Sequence, residues 1–329
     1  MMVEQVKACA APRSFSELLE RTIELTCAGD APRIEEICYG SRWMVVRLSD
    51  GRAGRAFVFE GDHAIYGTVD LERIRALSFA VGLDAADAAR WAVGAFDERD
   101  TASAAGDARP MCGALTAARR AGFAPAAQED AATTSVLRSF ALAVANALSC
   151  RLNDPSELER RGFVVTPQDD RSFLHEGDSV VLVGAGMLLR ESARTCARVD
   201  VIDMRPRASL QSLRMTAEGV SVGPRDIAFH DVEETARLVA QADVVALTGC
   251  TIGNDTLFAI ARMPRRAREF VLFGPSAQVP HELLAELGVT RVVSDRLVDY
   301  ERFAESLTVE FGVPSAREAT EGYAAALSR

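Results

Sequence analysis

Apolar residues along this chain keep two different rhythms. In roughly the first half they alternate, or recur at helical spacing. From Ser179 onward they come in short runs, Val180–Val183, Val244–Leu247, Phe270–Phe273 and Val292–Val293 unbroken and Val199–Ile202 interrupted only by Asp200. A strand that is apolar at every position is buried on both faces, as in a parallel sheet. Helical stretches separate the runs, namely Met187–Ala197, Asp231–Ala240, Leu257–Ala261, Pro280–Leu287 and Val298–Val309, the last with Phe303 and Leu307 inward. Ile227–Phe229 reads as one more short strand, and Arg291–Val293 as the final one. Alternating strands and helices predict a Rossmann-like, doubly wound parallel sheet over residues 154–329, covered on both faces.

The first half predicts a smaller α+β unit over residues 1–153. Phe15–Cys27 has helical spacing, with Ser14 or Ser16 as cap and Leu18, Leu19, Ile23 and Leu25 as its apolar stripe. Arg33–Tyr39, Trp43–Leu48 and Gly54–Phe59 read as an antiparallel meander, closed on one side by the Ser49-Asp-Gly51 turn. Helices are expected at Leu71–Leu77, Ala85–Val93 and Val136–Leu148. Residues 97–134, rich in Ala, Gly, Arg and Asp, read as a mobile excursion with a short helix near Ala114–Arg120. Asn153 to Gly177 reads as the connection between the two units.

One loop concentrates the candidate chemistry. Thr248-Gly-Cys-Thr-Ile-Gly-Asn-Asp-Thr256 follows a buried strand and opens a helix. Small and hydroxyl-bearing residues there suit a ligand site at the carboxyl edge of a sheet, and equally suit a helix cap and loop closure. Asn254 or Asp255 is placed to cap the helix. Asn146 interrupts the apolar Val136–Leu148 helix, as a backbone-satisfied amide or as a group pointing into a cleft. The Gly184-Ala-Gly186 turn, followed by Asp203 at the end of the next strand, matches part of the arrangement that holds a ribose diol. His281 stands at a helix start, where the dipole disfavours its cation; it reads as a surface residue or a neutral group at the cleft.

Composition narrows the field. A net charge of −10 argues against a general nucleic-acid binder. No run approaches the ~18 apolar residues of a membrane span, and Met1–Lys7 lacks a signal-peptide pattern, so a cytoplasmic protein is expected. The seven cysteines, Cys9, Cys27, Cys38, Cys112, Cys150, Cys196 and Cys250, are scattered and fit reduced thiols. The four histidines show no zinc spacing, so no metal ligand is assigned.

Leu247–Leu257, Phe270–Ser276 and Glu286-Leu-Gly-Val289 together resemble the heavy-metal chelation domain family, a family of unknown function. The resemblance is specific from about Gly177 to Leu307 and looser before it. It implies an enolase-N-terminus-like first domain, a Rossmann-like second domain and a site in the cleft between them. It implicates Thr248, Gly249, Thr251, Asn254 and Thr256 from one loop, and Gly274, Pro275 and Ser276 from the next, with Asn146 facing them. Cys250 and Gly253 depart from the family's pattern, which has a small hydroxyl residue and a larger one there.

Three functions follow as expectations. The first is a small-molecule enzyme using S-adenosylmethionine for methyl or aminocarboxypropyl transfer or cyclisation, in specialised or metallophore metabolism. Gly184 and Gly186 would take the amino-acid end of that cofactor, Asp203 its ribose, and the Thr248 and Gly274 loops the second reactant. Asn146, Thr251 and Asn254 are the candidate catalytic groups. The second is a non-catalytic binder of a divalent metal or a metal chelate, with Cys250, His281, Asp255 and Asp295 converging. The third is an NAD-dependent oxidoreductase, ranked last because the glycine fingerprint is incomplete. A small-molecule substrate is expected in each case, and a homodimer is possible.

Overall fold

In the computed structural model, residues 10–27, 29–40, 42–60, 64–94, 130–224, 226–309 and 318–327 are described. The short helix expected near Ala114–Arg120 and most of the 97–134 stretch lie outside them. Helix α1 (Phe15–Thr26) is capped by the Ser14 hydroxyl, which accepts from the Glu17 amide. It buries Phe15, Leu18, Leu19, Thr22 and Ile23, while Leu25, expected in the stripe, is 51% exposed. Leu25, seven residues after Leu18, lies at the edge of that stripe and in the last turn of the helix, which leaves it exposed. Strands β1 (Ile34–Tyr39), β2 (Trp43–Leu48) and β3 (Ala53–Phe57) form the expected antiparallel meander. Helices α2 (Leu71–Arg75) and α3 (Ala85–Ala92) follow, capped by Asp70 and Asp84.

Helix α4 (Ala131–Ser149) starts one turn earlier than the apolar pattern suggests, because Asp130 caps it through the Thr133 amide. It is long and apolar enough to cross a membrane, but most of it is buried inside the protein. It packs against β2, β3, α1 and α3 on one side and the loops of the large sheet on the other.

The expected connection after Asn153 is structured. Helix α5 (Pro155–Arg160) leads into β4 (Phe163–Pro167), an edge strand of the large sheet. That sheet has eight strands in the order β4-β13-β12-β11-β10-β5-β6-β9. They are β5 (Ser179–Val183), β6 (Arg198–Ile202), β9 (Ile227–His230), β10 (Val244–Thr248), β11 (Glu269–Phe273), β12 (Arg291–Leu297) and β13 (Thr320–Leu327) with β4. Helices α6 (Leu189–Thr195), α7 (Thr235–Gln241), α8 (Cys250–Gly253), α9 (Thr256–Ala261), α10 (His281–Glu286) and α11 (Tyr300–Val309) accompany it. The sheet is mostly rather than wholly parallel. β13, a strand the sequence reading missed, runs antiparallel between β4 and β12. A hairpin of β7 (Ser212–Thr216) and β8 (Gly219–Gly223) was also missed; its strands form a separate two-stranded sheet.

Strand alternation sorts the large sheet into two cores. Val181, Val183, Val245, Leu247 and Leu272 join the cluster that contains α1, α3, α4 and the meander. Val180, Leu182, Val201, Val244, Ala246 and Phe273 build the cluster on the opposite face. One apolar core therefore runs from the meander into the large sheet, and the two parts are packed together.

Candidate functional site

The parallel part of the large sheet begins at β5, builds outward through β6 to β9, then returns to the other side of β5 with β10. Strand order reverses between β5 and β10, and a crevice opens there in doubly wound sheets. A cavity of about 490 Å³ occupies that place. It takes in the carboxyl ends of four strands: Val183–Gly184, Ile202–Asp203, Thr248 and Phe273–Gly274. Trp43, Phe57 and Phe59 close it from the meander side.

Several expected residues meet here. Gly184, Gly186, Asp203, Thr248, Thr251, Asn254, Thr256, Gly274, Pro275 and Ser276 all line the cavity. The Thr248 and Gly274 turns emerge side by side, since the Gly249 amide donates to the Phe273 carbonyl at 2.7 Å. The Ser276 hydroxyl accepts from the Phe57 amide at 2.9 Å, stitching the turn to the end of β3. Behind the turn, Ser294 Oγ donates to the Gly274 carbonyl at 3.0 Å and accepts from Gln278 Nε2 at 2.7 Å. Gln278 also donates to Tyr323 Oη at 3.0 Å. His281 Nδ1 lies 3.1 Å from the Val279 carbonyl, which can only accept, so Nε2 accepts from Tyr323 Oη at 3.1 Å.

Three assignments are corrected. Gly249 does not line the cavity: a Cβ there would lie 2.5 Å from the Ala277 nitrogen, so its lack of a side chain lets the two turns touch. Asn146 turns away from the cavity too. Its Nδ2 donates to the Arg55 carbonyl at 2.8 Å and the Ser276 carbonyl at 3.3 Å, and it borders a separate polar cavity of about 160 Å³. Asn146 thus faces the Gly274 loop as the resemblance implied, but as a fully buried brace. His281 is 1% exposed rather than a surface residue, and desolvation lowers its pKa to about 4.

Asp203 is occupied. Its oxygens accept from the Ala185 amide at 2.8 Å, the Arg205 amide at 2.9 Å and Arg205 Nη2 at 2.7 Å. Burial raises its pKa, but the bonds from Arg205 and Ala185 prevail and hold the carboxyl below its ordinary range. The two glycines are tied down as well. A Cβ on Gly184 would lie 2.7 Å from Thr248 Cγ2, and one on Gly186 would lie 2.5 Å from the Phe273 ring. Their openness therefore serves packing before it serves a ligand.

Cys250 also lines the cavity, and its Sγ accepts from Thr248 Oγ1 at 3.4 Å. Desolvation pushes its thiol pKa up, partly offset by hydrogen bonds with Thr248 and Ser276. It is a neutral S–H, not a thiolate nucleophile. Asn254 Oδ1 accepts from the Thr256 amide at 3.2 Å, so it rather than Asp255 caps α9. Asp255 adopts φ +63°, accepts from the Phe15 amide at 2.7 Å and pairs with Arg138.

Sequence reasoning missed Arg205 and the aromatic wall. Phe57 and Phe59, two apart at the end of β3, share a face by strand alternation, and that signal was available. Trp43 meets Phe57 edge to face at 5.8 Å, and Phe57 meets Phe59 at 5.4 Å.

The proposed metal donors do not converge. Asp255 pairs with Arg138, Asp295 with Arg55, and His281 is engaged by Val279 and Tyr323. Among the described residues no group of three or more His, Cys, Asp or Glu side chains is placed to hold a metal ion. The residues described do not fit a bare ion.

The fold and cavity define a mixed α/β protein with a crevice at the switch point of its large sheet. Two family models, each described as "Putative heavy-metal chelation", match residues 170–321 and 23–108, and the chain belongs to this family. A crystal structure of a protein of unknown function from Pyrococcus horikoshii is similar over 94% of this chain and 98% of its own, with TM-score 0.60 and 13% identity. Another of unknown function, from Desulfitobacterium hafniense, is similar over 94% and 97%, with TM-score 0.59 and 14% identity. These likenesses show the fold. An uncharacterised protein of Methanocaldococcus jannaschii is 33% identical over 66 residues, 20% of this chain. The match spans only 26% of that relative's length.

Proposed function

We propose that this protein is a small-molecule enzyme that binds S-adenosylmethionine in the 490 Å³ cavity and transfers its methyl or aminocarboxypropyl group. The observation that carries this reading is the cavity's place and lining: strand ends on one side, the Trp43–Phe57–Phe59 wall on the other. Its volume falls within the roughly 300–1,000 Å³ of metabolite pockets. Aromatic faces attract organic cations, so the wall suits a sulfonium. Arg205 is the one cation lining the cavity among the described residues, and Asp203 already pairs with it. A pyrophosphate finds little compensating charge there, which keeps a dinucleotide in last place.

A sulfonium donor carries its own leaving group. The protein then has to bind, orient and exclude water, and orientation alone supplies a large share of the barrier reduction. The hydroxyls of Thr248, Thr256 and Ser276 are the polar anchors we assign to the cofactor. Isothermal titration and thermal shift with S-adenosylmethionine test the reading. Binding heat and a raised Tm are expected, both weakened in Phe59→Ala. Silence in both assays at millimolar cofactor removes it.

The family's description favours a second reading, a non-catalytic binder of a metal chelate. Because the described donors do not fit a bare ion, the metal would enter already wrapped in an organic ligand, with the apolar wall receiving that ligand. Elemental analysis of tag-free protein tests this; a metal-free preparation that also fails to take up a chelate sets it aside.

A further inference from the structure

A second cavity, of about 280 Å³, lies against the first. Phe57, Phe59, Cys250 and Asn254 line both, so these four residues form the partition between two chambers. The second chamber is otherwise built from the first turns of α4, Tyr66 and Gly253, outside every cofactor-binding or catalytic residue assigned above. Its lining divides into two halves. Phe57, Phe59 and Leu142 are apolar, while Thr134, Ser135, Ser139, Tyr66 and Asn254 carry hydroxyls or an amide.

Size decides what can enter. A cavity of roughly 150 Å³ accepts a benzene ring. The second chamber has room for one ring with polar substituents and none for a nucleoside beside it. Charge decides further. Arg138, on the wall, donates to the Gly253 carbonyl at 2.8 Å and to Asp255 at 2.6 Å, so its charge is already compensated. A neutral ligand is better matched than an anion.

The aromatic geometry supplies the last constraint. Phe59 meets Tyr66 edge to face at 5.2 Å, continuing the series that begins at Trp43 and Phe57. A ring in the second chamber would extend this edge-to-face series. Tyr66 Oη accepts from Asn254 Nδ2 at 3.1 Å and lies 3.9 Å from the Met204 sulfur of the first chamber. The polar edge of the partition thus touches both spaces.

The geometry points to the second chamber as a binding subsite for a small, neutral, hydroxylated aromatic molecule, held next to whatever fills the first. Its role as the seat of the second reactant rests on the cofactor reading above, but its occupancy does not.

Catechol is the probe, followed by saturation-transfer NMR on the full chain. Two variants fill the chamber from positions on the helix start: Ser135→Phe, half-buried, and Ala131→Phe, exposed. Circular dichroism and melting confirm that each is folded. Catechol binding is expected in the native protein and should weaken about tenfold or more in either folded variant. S-adenosylmethionine titration should be unchanged in both, with the two ligands binding together. If the cofactor fails to bind but catechol still responds to the variants, the cofactor reading falls and the subsite stands. No catechol binding, binding in both folded variants as tight as in the native protein, or displacement of catechol by the cofactor overturns the subsite.

Discussion

Arg138 Nη2 lies 2.6 Å from Asp255 Oδ2, joining the central helix to the loop that opens the cavity. The pair spans two parts of the chain that share an apolar core. Asp255 is also the one non-glycine residue with positive φ among the described residues, at +63°. That conformation persists because the side chain is held twice, by Arg138 and by the Phe15 amide.

Asp255→Ala should therefore cost about 2 kcal/mol, from a lost charge-assisted bond and an orphaned Phe15 amide. The ion pair itself is partly exposed, 25% and 37%, and contributes only a minor share. Asp255→Gly should recover about 1 kcal/mol by accepting the positive φ without strain. Urea denaturation of both variants measures the difference; equal stabilities would show that backbone strain is irrelevant here.

Gly249 and Gly253 make a matched pair four residues apart. A Cβ on Gly249 would sit 2.5 Å from the Ala277 nitrogen and 2.8 Å from the Ser276 carbonyl carbon. On Gly253 it would meet only Leu142 Cδ2, at 3.8 Å. Gly249→Ala should lose about 2 kcal/mol or more by parting the two turns, and with them the ligand site. Gly253→Ala should be neutral or gain up to about 1 kcal/mol, since alanine is the better helix former. The opposite ranking in thermal melts contradicts the packing of these turns.

His281 sets a pH dependence. Its folded pKa, about 4, lies below the ordinary value of 6.5, because burial disfavours the cation. The unfolded chain therefore binds a proton at a pH where the folded protein does not. The stability it contributes is complete above about pH 6.5 and is lost as pH falls toward 4. The loss should approach 3 kcal/mol. In His281→Phe this component of the slope should vanish, and an unchanged slope between pH 7 and 4.5 would exclude His281 as its source.

The aromatic wall carries a last prediction. Trp43→Leu removes a face of the cavity and the ring on which the Arg55 guanidinium rests, 5.0 Å from its centroid. Ligand affinity should fall more than stability does. Comparing titration with melting separates the two; a loss of stability alone assigns Trp43 to packing.

Much of the large sheet was legible because β5, β10 and β11 each carry an unbroken run of four apolar residues. The meander was legible because Asp50-Gly51 fixes a turn. What escaped had mixed signals. Thr320–Leu327 has three alanines in its apolar run and opens with Thr320, Glu321 and Gly322, and alanine favours helix over strand. β7 and β8 carry Leu213, Met215, Val220 and Val222 on exposed positions, so their apolar side chains mark no core face. The loop residues of the site were readable from their small and hydroxyl-bearing side chains. Gly249 and Asn146 were read as ligand-facing because sequence cannot say which neighbour fills the space beside them. Arg205 escaped because nothing in the sequence announces that an arginine two residues after Asp203 folds back onto it.

The position of β13 has a consequence for biosynthesis. β4 belongs to the sheet only through β13, which lies between it and β12. A nascent chain emerging from the ribosome can assemble β5 through β12 while β4 waits without a neighbour. Residues 163–167 lack a sheet neighbour through more than a hundred and fifty further residues of synthesis, a window in which a chaperone or a second nascent chain can reach them first.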